Sequence, residues 1–287
     1  YNTVNPENRL KIRNEWRELE YKPDNWTGIS YGVFQHVGTN EIVLAYTGSN
    51  EKLALDYLLT NLPAGTGLPS FQIPNAALIY QQVRQKYGDN ITLTGHSLGG
   101  GLASVMAVWF NRPAVVFDEA PFQLSAANPV IYNLARAQLA MAGYSDPAMS
   151  GALSEYSSRE SRVVNHYLQG EILQSFRVDA NSIYGSTNLV SVNVADMIST
   201  ADKTELHSQT ILTAALMSQE FRQATFASTR IIPRLLDAKL YHLDAQFVTE
   251  QNLLINLIRS EQSVTAGQGK LTHLAVDFQK LGANIAG

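Results

Sequence analysis

The sequence predicts an α/β fold built on a mostly parallel sheet, and three observations carry that expectation. Short β-rich runs alternate with amphipathic helical stretches over the first part of the chain. One junction, Gly95-His96-Ser97-Leu98-Gly99, is a G-x-S-x-G turn with a β-rich run before it and a small-residue helix after it. The chain has 287 residues, 45% of them hydrophobic and 16% charged, enough to bury the core of one large domain or of a domain with a helical appendage.

Taken in order, the elements begin with a short amphipathic helix near Arg9 to Glu20, followed by a β-rich stretch from Ile29 to Val37. Gly38-Thr39-Asn40 reads as a turn. Glu41 to Thr47 then forms a largely buried strand that stops at Gly48-Ser49-Asn50. Pro74 to Tyr87 is an amphipathic helix ended by Gly88, Asn90 to Thr94 is a strand, and Leu98 to Phe110 is the helix that leaves the G-x-S-x-G turn. Ala114 to Phe117 is a second short buried strand. Helices are expected over Pro129 to Ala142 and Asp146 to Tyr156, a strand over Arg162 to Leu168, and a helix over Gln209 to Met217. From Gln219 onward only helices are expected, broken at Pro233, near Asp244 and at Gly267-Gln268-Gly269. Leu235, Leu236 and Leu240, then Leu253, Leu254, Leu257 and Ile258, recur at helical spacing, as in helices that pack on the body of the domain or on one another. The expected division is therefore a unit over 1–218 and a helical extension over 219–287 packing on it.

Composition removes several classes of function. A net charge of −4, with the basic residues scattered, leaves no electrostatic footprint for nucleic acid. Zero cysteines exclude disulfides and thiolate metal sites. No apolar run approaches the roughly 20 residues of a spanning helix. No cluster of histidines and carboxylates has metal-ligand spacing, so neither a metal nor an organic cofactor is expected. The chain starts at Tyr1 with no signal-like segment, which suggests a mature form or a piece of something longer.

The G-x-S-x-G turn carries the chemistry. A serine held at a sharp strand-to-helix turn projects its hydroxyl above the sheet, and small residues must flank it because the strand and helix backbones pass so closely. Gly95, Gly99, Gly100 and Gly101 meet that demand, so Ser97 is the candidate nucleophile of a serine hydrolase with the α/β-hydrolase fold. The main-chain N–H of Leu98, which opens the following helix, is the first candidate donor to an oxyanion.

Gly95-His96-Ser97-Leu98-Gly99-Gly100, preceded by Ile42-Val43-Leu44-Ala45-Tyr46-Thr47-Gly48-Ser49, resembles the class 3 lipases. In that family a strand carrying F-R-G-[ST] lies upstream of G-H-S-L-G-G. The resemblance covers roughly Ser30 to Leu216, with Thr47 where the family usually has arginine. It implies a Ser, acid, His order, and His207, in Glu205-Leu206-His207-Ser208, stands at the matching distance as the base. For the orienting acid, Glu171 follows the strand ending at Leu168, where the family has Asn-Asp-Ile-Val; Asp118, Asp179 and Asp196 are its rivals. Ser49 matches the family position that offers a second oxyanion donor.

The class 3 lipases carry their lid between the positions of Ser49 and Pro74. Here Leu53, Leu55, Leu58 and Leu59 line one amphipathic segment, either a pivoting lid or a fixed wall of an acyl pocket. The C-terminal helices resemble lipase regions embedded in large bacterial surface or secreted proteins. The resemblance thus implies hydrolysis of carboxylic esters of lipid-like substrates through an acyl-enzyme, with transient contact to a lipid interface, attachment to further domains of a longer chain, and a secreted or cell-surface location. An amidase or peptidase, or a non-catalytic hydrolase-fold binding module, are the alternatives to be separated from it.

Overall fold

The computed structural model describes residues 12–23, 29–47, 68, 71–168, 171–174, 207, 209–221 and 253–286. Among the described residues six strands form one sheet in the order β1-β2-β3-β4-β5-β6, each beside its neighbour in sequence. They are β1 Trp16–Lys22, β2 Ser30–His36, β3 Ile42–Thr47, β4 Ile91–His96, β5 Ala114–Phe117 and β6 Val163–His166. The first three pair antiparallel, and β3 through β6 run parallel. This is the mostly parallel α/β sheet that the alternation of strands and helices predicts.

The chain departs from expectation at β1. A helix is expected near Arg9 to Glu20, but Trp16 to Lys22 is an edge strand. The physical reason is pairing across the sheet: the ladder with β2 satisfies the backbone, and helical periodicity is only a weak prior against it. Trp16 sits edge-on to His36 with ring centroids 5.0 Å apart. Glu20 accepts from Lys86 Nζ at 2.6 Å, Tyr87 Oη at 3.0 Å and Tyr31 Oη at 3.1 Å. The bonds from Lys86 and Tyr87 tie the edge strand to the helix that precedes β4, and the Lys86 bond holds the Glu20 carboxyl below its ordinary range.

Behind one face of the sheet lie two long helices, α1 Gln72–Tyr87 and α2 Leu98–Phe110. Alternate residues of the strands, including Ile42, Leu44, Ile91, Leu93, Ala114 and Val116, are buried against them. Every residue of α2 is buried, so this helix is the central post of the core. Tyr80 of α1 stacks on Phe110 of α2 with centroids 4.1 Å apart, and Tyr46 of β3 donates to the carbonyl of Ala76 at 2.8 Å. Gly88 ends α1 with φ +96°, a backbone region open to glycine at no steric cost.

After β5 come α3 Gln123–Ala126 and α4 Pro129–Met141, the latter capped by Asn128, whose side chain accepts from Val130 N–H. The single helix expected over Asp146 to Tyr156 is instead two short ones, α5 Pro147–Ser150 and α6 Tyr156–Glu160, separated by a turn. The break serves buried Arg159 of α6. Its guanidinium donates to the carbonyls of Val108 and Trp109 at 3.1 and 3.2 Å and of Ala148 at 2.7 Å. One arginine thereby satisfies carbonyls of the last turn of α2, which have no partner within the helix.

The remaining described helices are α7 Gln209–Met217, α8 Leu253–Gln262 and α9 Lys270–Ala286. Leu254, Leu257 and Ile258 of α8 are buried, as the helical spacing predicts. Together with Leu212 and Ala215 of α7 and Leu271 of α9 they form a second apolar core, against which Phe117 at the end of β5 also packs. The expected breaks at Pro233 and near Asp244, and the leucines at 235, 236 and 240, lie outside the described residues. No helix among the described residues is long and apolar enough to cross a membrane.

Candidate active site

Ser97 lies at the turn between β4 and α2, with φ +54° and ψ −124°. A left-handed conformation costs a non-glycine residue roughly 1–2 kcal/mol, so the turn is held from several sides. Ser97 N–H donates to Phe117 C=O at 3.0 Å, and Ser97 C=O accepts from Gly101 and Ala120 N–H, each at 3.0 Å. Gly95 is required by close approach. A Cβ there would lie 2.3 Å from the carbonyl carbon and oxygen of Gly99.

Parallel packing brings the ends of β4, β5 and β6 side by side, and the candidate groups converge there. His207, just ahead of α7, places Nε2 2.8 Å from Ser97 Oγ and Nδ1 2.7 Å from Glu171 Oε2. A glutamate carboxylate can only accept, so Nδ1 carries the proton and Nε2 is left to accept from the serine hydroxyl. Glu171 Oε2 also accepts from Leu173 N–H at 2.9 Å, and Glu171 N–H donates to Leu168 C=O at 3.2 Å, so the carboxylate is fixed by its own loop. Glu171 is buried, whereas Ser97 and His207 each keep 7% of their surface exposed, so the line from acid to serine runs from the interior outward.

Of the candidate acids among the described residues, Glu171 is the one on the imidazole. Asp118 does not bond His207; it sits one residue past β5, fully buried, with φ +43°. Burial pushes its carboxyl up, His96 draws it down, and the negative charge of Glu171 adds to the upward shift. Asp179 and Asp196 lie outside the described residues, as do Ser49 and the segment bearing Leu53, Leu55, Leu58 and Leu59. Leu98 opens α2, where a main-chain N–H has no acceptor within the helix.

Sequence reasoning overlooked the part played by His96, which precedes the serine in the elbow. Its Nε2 donates to the carbonyl of His207 at 3.0 Å and lies 3.6 Å from Asp118 Oδ2. The signal was present in outline: parallel pairing sets His96 opposite Phe117, and Asp118 follows directly. His96, Asp118 and His207 each offer one atom of ligand type within 4.8 Å of the others. Both ring nitrogens of His207 are already engaged by Ser97 and Glu171, so the trio is arranged for hydrogen bonding rather than for coordination.

This geometry can be set beside known proteins. The chain is 29% identical over 136 residues to an extracellular phospholipase A1 of Serratia liquefaciens, an alignment covering 47% of this chain and 39% of that protein. It therefore spans about two fifths of that relative's length. Among solved structures, the Lip2 lipase of Yarrowia lipolytica matches over 56% of this chain and 62% of its own, at 14% identity and a TM-score of 0.33. Residues 1–222 match the family model described as a phospholipase-like, Tle-like phospholipase domain. That span is most of the chain and contains every candidate group described here, and the chain belongs to this family of phospholipase-like domains.

Proposed function

We propose that this chain hydrolyses carboxylic esters of lipids, phospholipids foremost, through an acyl-enzyme. The observation that carries the proposal is the unbroken line Ser97 Oγ, His207, Glu171, with hydrogen bonds of 2.8 and 2.7 Å. A free serine hydroxyl is too weak an acid to attack an ester near neutral pH, and a hydrogen-bonded imidazole removes its proton as the bond to carbon forms. Glu171 orients His207 and stabilises the imidazolium, which then protonates the departing alcohol. The Leu98 N–H stabilises the tetrahedral oxyanion, a contribution on the order of 3 kcal/mol per donor, and Ser49 supplies the second donor. Water then attacks the acyl-enzyme by the same route in reverse order of proton transfers.

Membership of a phospholipase-like family and the Serratia relative support the lipid substrate, and that relative's extracellular location supports secretion of this chain. The leucines at 53, 55, 58 and 59 are the surface that meets acyl chains or a lipid interface. We also propose that 1–218 is the catalytic unit and that 219–287 is a helical extension packing on it. The test is hydrolysis of p-nitrophenyl acetate, butyrate, octanoate and palmitate, and of phosphatidylcholine vesicles, by wild type and Ser97→Ala. Turnover of long esters and of phospholipid that vanishes in Ser97→Ala is the expected result. Activity confined to acetate would overturn the lipid substrate, and faster cleavage of a matched amide than of its ester would overturn the ester.

A further inference from the structure

Behind the line from Ser97 to Glu171 lie an imidazole and a carboxylate that the hydrolytic scheme leaves unused. His96, the last residue of β4, donates from Nε2 to the main-chain carbonyl of His207 at 3.0 Å. The two rings lie 4.9 Å apart, tilted by 39°. Asp118 reaches towards both halves of the site. Its Oδ2 lies 3.6 Å from His96 Nε2, and its Oδ1 accepts from Leu168 N–H at 3.2 Å. Leu168 C=O in turn accepts from Glu171 N–H.

Asp118 occupies an expensive position. It is fully buried, its φ is +43°, and Oδ2 has no hydrogen-bond partner among the described residues. A buried carboxylate oxygen 3.6 Å from an imidazole nitrogen, in a strained backbone, is the sort of feature that persists where it serves a site. The two ring nitrogens of His207 are committed to Ser97 and Glu171, and its carbonyl offers a further point at which the residue is fixed. Attack by Ser97 needs that ring held to a fraction of an ångström.

We propose that His96 and Asp118 together position the triad: His96 holds His207 by its carbonyl, while Asp118 sets its charge against the His96 ring, 3.6 Å from Nε2, and through Leu168 holds the segment carrying Glu171. The inference rests on the proposed catalytic role of Ser97, His207 and Glu171. His96 and Asp118 are positioning residues, since each acts on the reacting atoms through another residue. No proton crosses the pair during turnover.

Steady-state kinetics on p-nitrophenyl octanoate test it, alongside the labelling rate of Ser97 by a fluorophosphonate and thermal melting. His96→Phe keeps a ring but loses the donor; His96→Gln keeps an N–H of similar reach; Asp118→Asn keeps the acceptor for Leu168 but loses the charge. His96→Phe is expected to lower kcat about 10- to 100-fold, the scale of a misplaced catalytic group, with KM within about twofold. The labelling rate should fall in parallel, and His96→Gln should recover most of both. Asp118→Asn should lower kcat in the same direction, and the double variant His96→Phe/Asp118→Asn should be no worse than His96→Phe alone, since both act through one contact. Wild-type kcat in a folded His96→Phe, or His96→Gln as defective as His96→Phe, would overturn the proposal. Should His96→Phe not fold, Asp118→Asn decides: wild-type kcat and labelling overturn the pairing, and a parallel loss of both supports it. Ser97→Ala separates the two levels. Full activity in Ser97→Ala removes the catalytic reading itself, whereas silence in Ser97→Ala with full activity in His96→Phe removes only the positioning pair.

Discussion

Glu171 and Gly95 show how single residues carry the site, one by charge and one by having no side chain. Glu171→Gln keeps the shape of the carboxylate but can present an amide N–H₂ to His207 Nδ1, which favours the wrong tautomer. A fall in kcat of up to about 10⁴-fold is expected, with little change in KM, as steady-state kinetics would register. Gly95→Ala acts by exclusion. The new Cβ would lie 2.3 Å from Gly99 backbone atoms, and backbone cannot swing aside as a flexible side chain can. The expected loss is more than about 4 kcal/mol, read from denaturant unfolding or from failure to recover folded protein. At this scale Ser97 and Gly95 were legible because the elbow demands them locally. His207 and Glu171 stand in the order after the serine that the family resemblance implies, with Asp118, Asp179 and Asp196 left as rival acids, whereas the contacts of His96 and Asp118 were not legible, because they join three strand ends that are distant in sequence.

Elements were legible where a local rule acts alone. The helix Leu98–Phe110 and the strand Ala114–Phe117 fall on the expected residues, because an elbow starts the one and apolar β-branched residues compose the other. The region from Asp146 to Tyr156 was not legible as two helices, since its break answers Arg159 and the carbonyls at the end of α2. Nor was β1, whose pairing with β2 is settled across the sheet. Glu20 makes β1 testable. Its hydrogen bonds from Lys86, Tyr87 and Tyr31 hold the carboxyl below the ordinary value of 4.5. A lowered folded-state pKa means that the carboxylate contributes stability above 4.5, and that this contribution disappears as pH falls through the folded value. Chemical unfolding of wild type and Glu20→Gln should therefore differ most at neutral pH and converge as pH falls through the lowered folded-state value. An equal difference at pH 7 and pH 3 would mean that packing, not charge, is what Glu20 contributes.

For the whole molecule, the second apolar core is the feature that joins the C-terminal helices to the site. α7 begins beside His207 and buries Leu212 and Ala215 against Leu254, Ile258 and Leu271 of the C-terminal helices. Glu261 fastens this arrangement. Its buried carboxylate accepts from Gly267, Gly269 and Thr272 N–H at 3.1, 3.3 and 3.1 Å and from Thr272 Oγ1 at 2.9 Å, and Thr272 Oγ1 lies 2.9 Å from Ser218 Oγ. Glu261→Ala leaves the buried donors of Gly269 and Thr272 unpaired, at an expected cost of about 2–4 kcal/mol in thermal or denaturant unfolding. A melting curve unchanged from wild type would show that the C-terminal helices stand apart from the stability of the body.

By itself the sequence determined the α/β class, the elbow with Ser97, the buried parallel strands and the amphipathic faces of the C-terminal helices. Each follows from rules that act over a few residues: alternation, helical spacing, and glycines where two backbones meet. Only the tertiary structure decided which carboxylate bonds His207, that Asp118 and His96 stand behind it, that the chain near Trp16 is a strand, and that Glu261 is buried. Those outcomes depend on which groups meet when β4, β5 and β6 end side by side and when remote helices pack. A buried charge or a backbone pairing takes its energy from partners that are far away along the chain.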